Sequence, residues 1–179
     1  MRRDSEPASL PNRRSLRLSG YDYTSPGGYF ITLCTLGGQS LFGQSTPDGV
    51  ALNECGKVVK RCWLEIPQHF PSVALDAFVV MPNHLHGIFL VRLGAETEIR
   101  AGPWHLGTVV AAFKSAAAKE VGPLIAIPSR AVWQRGYYEH IIRNDIDLDR
   151  IRQYIADNAF RWADDPENEA GGPVVRPYG

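Results

Sequence analysis

Apolar and polar positions alternate with two different periods along the chain, and the change of period marks out the elements. The run YFITLCT, residues 29 to 35, is β-branched and aromatic and lies between SPGG and GG, so it predicts a first strand. GGQSLFGQSTPDGV is a turn-rich loop with room for a short strand pairing inside it. From Leu52 to Phe70 the period becomes helical: Leu52, Cys55, Val58, Val59, Cys62, Trp63 and Ile66 form one broad stripe. Asn53 is placed to cap its start and Pro67 to mark its end. SVALDAFVVM and HLHGIFLV then predict two strands joined at Pro82-Asn83, and so short a connection implies antiparallel pairing. RLGAETEIRAGP has no clear period and reads as an exposed connection.

A second helix is predicted over residues 104 to 120, with Leu106, Val109, Val110, Phe113 and Ala117 on one side. VGPLIAIPSR follows as a loop, then AVWQ and YYEHIIR as one more strand or a bent pair. The last helix is predicted from about Asp147 to Trp162. Its first turn carries Asp147 and Asp149, which favour the positive end of a helix. The order β-α-β-β-α-β-α matches, in its first six elements, an α+β fold: the ferredoxin-like or RRM-like split βαβ sandwich. Its antiparallel sheet would have two helices on one face. The other face is expected to be open, with the last helix left to pack over or beside it.

At 179 residues the chain suits one domain, expected over residues 21 to 163. Residues 1 to 20 are expected to be a basic flexible arm, with five arginines against two acids, and residues 164 to 179 a polar tail. The net charge is 0, so totals do not indicate a strongly basic nucleic-acid binder. Three widely spaced cysteines give neither a disulfide framework nor metal spacing. No apolar run is long enough to span a membrane, and the N-terminus lacks the apolar stretch of a signal peptide. A cytoplasmic protein is the expectation.

Chemistry concentrates in two places. His84 and His86 sit one residue apart on a strand, so they share a face with Cα atoms about 7 Å apart. Leu85, Gly87, Phe89 and Val91 point the other way, toward the helices. Two imidazoles so placed can turn onto one divalent ion, or make ordinary hydrogen bonds. On the last helix Leu148, Ile151, Ile155 and Trp162 form the core stripe, and Tyr154 and Asn158, four apart, stack on an adjoining face. Asn158 brings an amide oxygen that can bind a metal. Two imidazoles and an amide are neutral ligands and leave an ion its full charge for polarising a phosphate. A tyrosine needs a metal or base to become a nucleophile, because its ordinary pKa is about 10. A phosphotyrosine ester would keep the phosphodiester energy for rejoining a strand. No Glu or Asp adjoins the histidine pair as the base for a hydrolase using metal-activated water.

MPNHLHG resembles the His-hydrophobic-His motif of the HUH endonuclease superfamily. More narrowly, the chain resembles the REP-associated tyrosine transposases, single-tyrosine relatives of small insertion-sequence transposases. The resemblance runs over about residues 13 to 162, through RRSLRLSGYDYTSPGGYFITLCT, LNECGKVV, LDAFVVMPNHLHGI, GTVVAAFKSAAAKE and VWQRGYYEHIIRNDIDLDRIRQYIADN. It implies that His84, His86 and Asn158 hold Mg²⁺ or Mn²⁺. Tyr154 would attack single-stranded or hairpin DNA, leaving a 5′-phosphotyrosine and a free 3′-hydroxyl. The chain departs from the family in reading Asn158-Ala159 where relatives read Asn-Pro, and its middle connection is short. Tyr137 and Tyr138 adjoin each other on a strand, so only one can face the site, and neither has a liganding partner at helical spacing. Arg13, Arg14, Arg17 and Tyr21 interleave charge with rings and suit unpaired DNA or a solvated arm. Lys114, Trp133 and Arg135 are further DNA-contact candidates. The alternatives are a replication-initiator nickase of the same chemistry and a non-catalytic hairpin-binding module. Monomer and homodimer are both compatible with the sequence.

Overall fold

The computed structural model describes residues 22, 25–92 and 105–161, with the side chains of 159–161 excepted. In chain order the elements are β1 (Gly27–Cys34), β2 (Gly43–Thr46), β3 (Gly49–Leu52), α1 (Glu54–Leu64), α2 (Ile66–His69), β4 (Val73–Val80), β5 (His84–Val91), α3 (Leu106–Leu124), β6 (Tyr138–Ile142) and α4 (Asp145–Arg161). The main sheet has the order β4-β5-β1-β6 with every neighbouring pair antiparallel, the expected split βαβ arrangement. The loop before the first helix contains the small hairpin β2–β3.

Several boundaries differ from the sequence pattern for local reasons. Asn53 caps α1 as expected, its side chain accepting from the Gly56 amide. But α1 ends at Leu64, and Pro67 lies in the first turn of the separate α2, where a missing N–H costs nothing. The second long helix runs on to Leu124, four residues past its expected end. Val121 is buried there and extends the apolar stripe by one more turn. Of the two segments expected after it, only Tyr138–Ile142 is a strand, while Trp133 makes a single bridge to Thr35. The last helix starts at Asp145 rather than Asp147, because Asn144 accepts from the Asp147 amide and caps it.

The main core lies between the sheet and the layer of α1 and α3. Trp63 is its centre, stacked on Phe89 at 4.8 Å and met edge-on by Phe113 at 5.3 Å. Gly87 lies directly beneath it. A Cβ at that position would stand 2.3 Å from the indole ring.

The second sheet face is covered, the last helix taking the first of its two expected places, over the face and not beside it. α4 packs across it against β4 and β6. Phe30 and Ile88 from the sheet close on Ile151 and Ile155 from the helix, forming a smaller second core. Four large apolar side chains at about 1.5–3 kcal/mol each are reason enough for the helix to cover the face. A β-bulge between Leu75 and Phe78 locally doubles the residues of β4, and Asp76 within it meets α4. The Arg152 guanidinium donates to both Asp76 oxygens, at 2.8 and 2.7 Å. At the opposite sheet edge Asp147 Oδ2 lies 2.9 Å from His140 Nε2. No helix among the described residues is long and apolar enough to cross a membrane.

Replacing Gly87 by Ala forces the added methyl into Trp63, so it should lower unfolding stability by about 1–3 kcal/mol. Combining it with Trp63→Phe should recover part of that loss in urea titrations, as a specific clash requires; strictly additive losses would contradict it.

Candidate active site

β1 and β5 bring the site together by register. Thr32 is opposite His86 and Cys34 is opposite His84. Both imidazoles are fully buried, because α4 lies over them. His84 Nδ1 lies 2.7 Å from Asn83 Oδ1. The Asn83 amide nitrogen donates to the Gly38 carbonyl, which fixes its oxygen toward the ring. His84 therefore carries its proton on Nδ1. His86 Nδ1 lies 2.8 Å from the Thr32 hydroxyl, and Phe30 stacks on the same ring at 5.4 Å. The two Nε2 atoms face each other at 3.1 Å.

The expected nucleophile reaches this point. Tyr154 Oη lies 3.4 Å from His86 Nε2, and the two rings meet at 5.2 Å. Asn158, one turn on, hydrogen-bonds the Tyr154 hydroxyl. His84, His86, Tyr154 and Asn158 thus form one cluster, built from β5 and α4 of the same chain. Tyr138 faces the same side of the sheet and packs with Phe30, whereas Tyr137 packs against the main core.

Burial sets the charge states. It pushes the His84 imidazole down to about 3, and it lowers His86 well below the ordinary value, with the neighbouring His84 adding to the effect. Both rings are neutral near pH 7 and can serve as ligands. Burial raises the Tyr154 phenol above its usual value, while the Asn158 hydrogen bond opposes this. Without a nearby cation the phenol keeps its proton.

The pair fits a divalent ion. Their Nε2 atoms converge at 3.1 Å, and neutral imidazoles so placed would be able to share one ion. Among the described residues no group of three or more His, Cys, Asp or Glu side chains is placed to hold a metal. A further protein donor at this cluster would be the Asn158 amide or the Tyr154 phenol oxygen.

The other expected contacts fare differently. Trp133 is a core residue, 7% exposed and packed on Phe42 and Phe113, so its ring offers no platform for a base. It closes the end of the main core where β1 gives way to Thr35. The Lys114 ammonium donates to the carbonyls of Gln134 and Gly136 and ties α3 to the turn before β6. Its burial lowers its pKa. Arg135 is exposed on that turn. Arg13, Arg14, Arg17, Tyr21 and Trp162 lie outside the described residues, as do the two terminal segments and the middle connection. The sequence pattern did not single out Thr32, Asn83 or the Asp76–Arg152 pair. A threonine in the centre of an apolar strand was the one available signal for the first.

The sheet order, the helical layer and the helix across the second face define a transposase-like α+β fold. The chain superposes on the structure of a REP-associated tyrosine transposase bound to a REP hairpin with a TM-score of 0.52, at 20% identity, over 79% of this chain and 72% of that one. A Deinococcus radiodurans chain described as a transposase superposes at 0.46 and 19% identity, too loosely to add to the first. No family model matches. The chain belongs to the same family as an uncharacterized Haemophilus influenzae protein, with 38% identity over 171 residues, 88% of this chain and 94% of the other.

The buried neutral histidines make the fold acid-labile. The unfolded chain protonates both near pH 6.5, and the folded chain holds out until well below it, to about 3 for His84. The unfolded state therefore binds more protons in that window, and stability falls as pH drops. The loss begins near the ordinary histidine pKa and grows as pH falls further below it. Asp76, held low first by its Arg152 hydrogen bonds, loses its contribution only below the usual carboxylate range. Metal-free protein should show a lower urea midpoint at pH 5.5 than at pH 7.5; equal midpoints would contradict a neutral buried pair.

Proposed function

We propose that the protein is a divalent-cation-dependent, single-tyrosine DNA nicking and strand-transfer enzyme of the HUH type, acting on single-stranded, hairpin-forming DNA in the cytoplasm. The observation that carries the proposal is the approach of the Tyr154 hydroxyl to the two facing Nε2 atoms of His84 and His86. The fold likeness to a transposase solved with a REP hairpin supports the DNA class.

In this reading His84, His86 and Asn158 would hold Mg²⁺ or Mn²⁺. The bound ion would supply Lewis-acid polarisation of the scissile phosphate and lower the phenol pKa. Tyr154 provides the nucleophilic oxygen. Attack forms a Tyr–O–P bond as the phenol gives up its proton to solvent, and breaks the bond to the 3′-oxygen, which takes up a proton from solvent and leaves as a hydroxyl. One phosphodiester is exchanged for another, so the reverse attack by a 3′-hydroxyl can reseal or transfer the strand without ATP. Ile151 and Ile155 keep α4 seated on the second core, and Arg152 ties it to Asp76. That seating holds Tyr154 over the histidines of its own chain, which supports cleavage in cis by a single chain. Arg13, Arg14, Arg17, Tyr21 and Arg135 are proposed to contact the DNA backbone or stack on unpaired bases.

Incubation with a panel of single-stranded hairpins and Mn²⁺ should give a covalent protein–DNA band and a free 3′-hydroxyl. Tyr154→Phe should abolish the band while leaving hairpin affinity within a few-fold of wild type. A band that persists in this variant would remove Tyr154 as nucleophile; binding without cleavage under every condition would favour a hairpin-binding module.

His84→Ala and His86→Ala should each weaken Mn²⁺ binding at least 10-fold and cut cleavage in parallel. Calorimetry on the metal-free proteins checks this independently of DNA, and unchanged binding in both variants would contradict the ligand assignment.

A further inference from the structure

Two imidazole nitrogens facing at 3.1 Å cannot both present lone pairs to each other without a proton or a cation between them. His84 cannot supply the proton from Nε2, because its proton is on Nδ1, held by Asn83. With no cation present, His86 must be the Nε2–H tautomer, donating to His84. Its Nδ1 is then an acceptor, and the Thr32 hydroxyl donates to it. With a cation between the rings, His86 must turn its Nε2 lone pair inward. Its proton then sits on Nδ1, and the Thr32 oxygen accepts it. A hydroxyl can serve both states by rotating its hydrogen, with no heavy atom moving. Most other side chains of that size cannot: valine offers nothing to Nδ1, and a fixed donor or acceptor would lock one tautomer.

Thr32 is only 3% exposed and sits in the centre of the apolar strand β1, between Ile31 and Leu33. A buried hydroxyl is costly there unless it is bonded. Its position opposite His86 is set by the β1–β5 register.

We propose that Thr32 is a positioning residue that lets His86 exchange tautomers, so that the histidine pair accepts a cation without rearrangement of the sheet. The inference rests on the metal reading of the site given above. It extends that reading to a residue that acts through His86.

The test combines two measurements on the full chain. In ¹⁵N-histidine-labelled wild type, ring-nitrogen shifts should show His86 as Nε2–H without metal and as Nδ1–H with saturating Mg²⁺, while His84 stays Nδ1–H throughout. The same His86 tautomer in both states overturns the proposal. By calorimetry, Thr32→Val should bind Mn²⁺ about 10- to 100-fold more weakly than wild type, and Thr32→Ser should recover to within a few-fold. Metal-free hairpin affinity should be unchanged in both variants. Equal Mn²⁺ affinity in wild type and Thr32→Val overturns this proposal and leaves the metal site standing. Wild type that binds no Mn²⁺ overturns the metal site and this inference together. Should Thr32→Val fail to fold, the tautomer measurement on wild type decides alone.

Discussion

The pairing of β5 with β1 is the constraint from which the site follows. β5 is flanked on both sides, by β1 and β4, so it cannot slip by one residue without turning its whole apolar set out of the core. Leu85 and Phe89 are fully buried on the helix side, and that burial fixes which way His84 and His86 must point. The same register sets Thr32 beside His86. The chemistry-bearing face is therefore specified by the packing of the opposite face.

The second constraint is the seating of α4. A helix laid across a sheet can slide or rotate unless something sets its position. Here a small apolar core supplies the adhesion, and polar pairs at the two sheet edges supply the alignment. The bulge in β4 matters for this reason: Leu75 and Phe78 both pack in the main core, so Asp76 and Ala77 fall together on the α4 side. Tyr154 lies one turn from Ile151 and one residue from Ile155, both buried. The phenol is thus located by the same contacts that hold the helix down.

Much of this was legible from periodicity. The helical stripe around Trp63, the alternation in HLHGIFLV and the four-residue spacing of Tyr154 and Asn158 are local patterns, and the split βαβ order follows from their sequence. What local patterns could not give is the partner of each face. Phe30 and Ile88 look like ordinary strand residues, and local pattern left the last helix either over or beside their face; only the fold shows that α4 closes on them and buries the histidines. Trp133 failed as a surface candidate for the same reason, since its neighbours Phe42 and Phe113 are distant in sequence. Thr32 was hidden because its role depends on a cross-strand register that only pairing defines.

Gly87 follows the histidines directly and would be taken, in any tally of recurring residues, as part of their signature. Its reason for being glycine lies on the far side of the sheet, under the indole of Trp63. Position 87 should therefore track position 63 through descent: lineages that keep the large ring must keep the bare backbone beneath it. Lineages with a smaller side chain at 63 can let 87 drift while both imidazoles remain. A motif read along the chain can in this way be two inheritances laid side by side, one chemical and one purely steric.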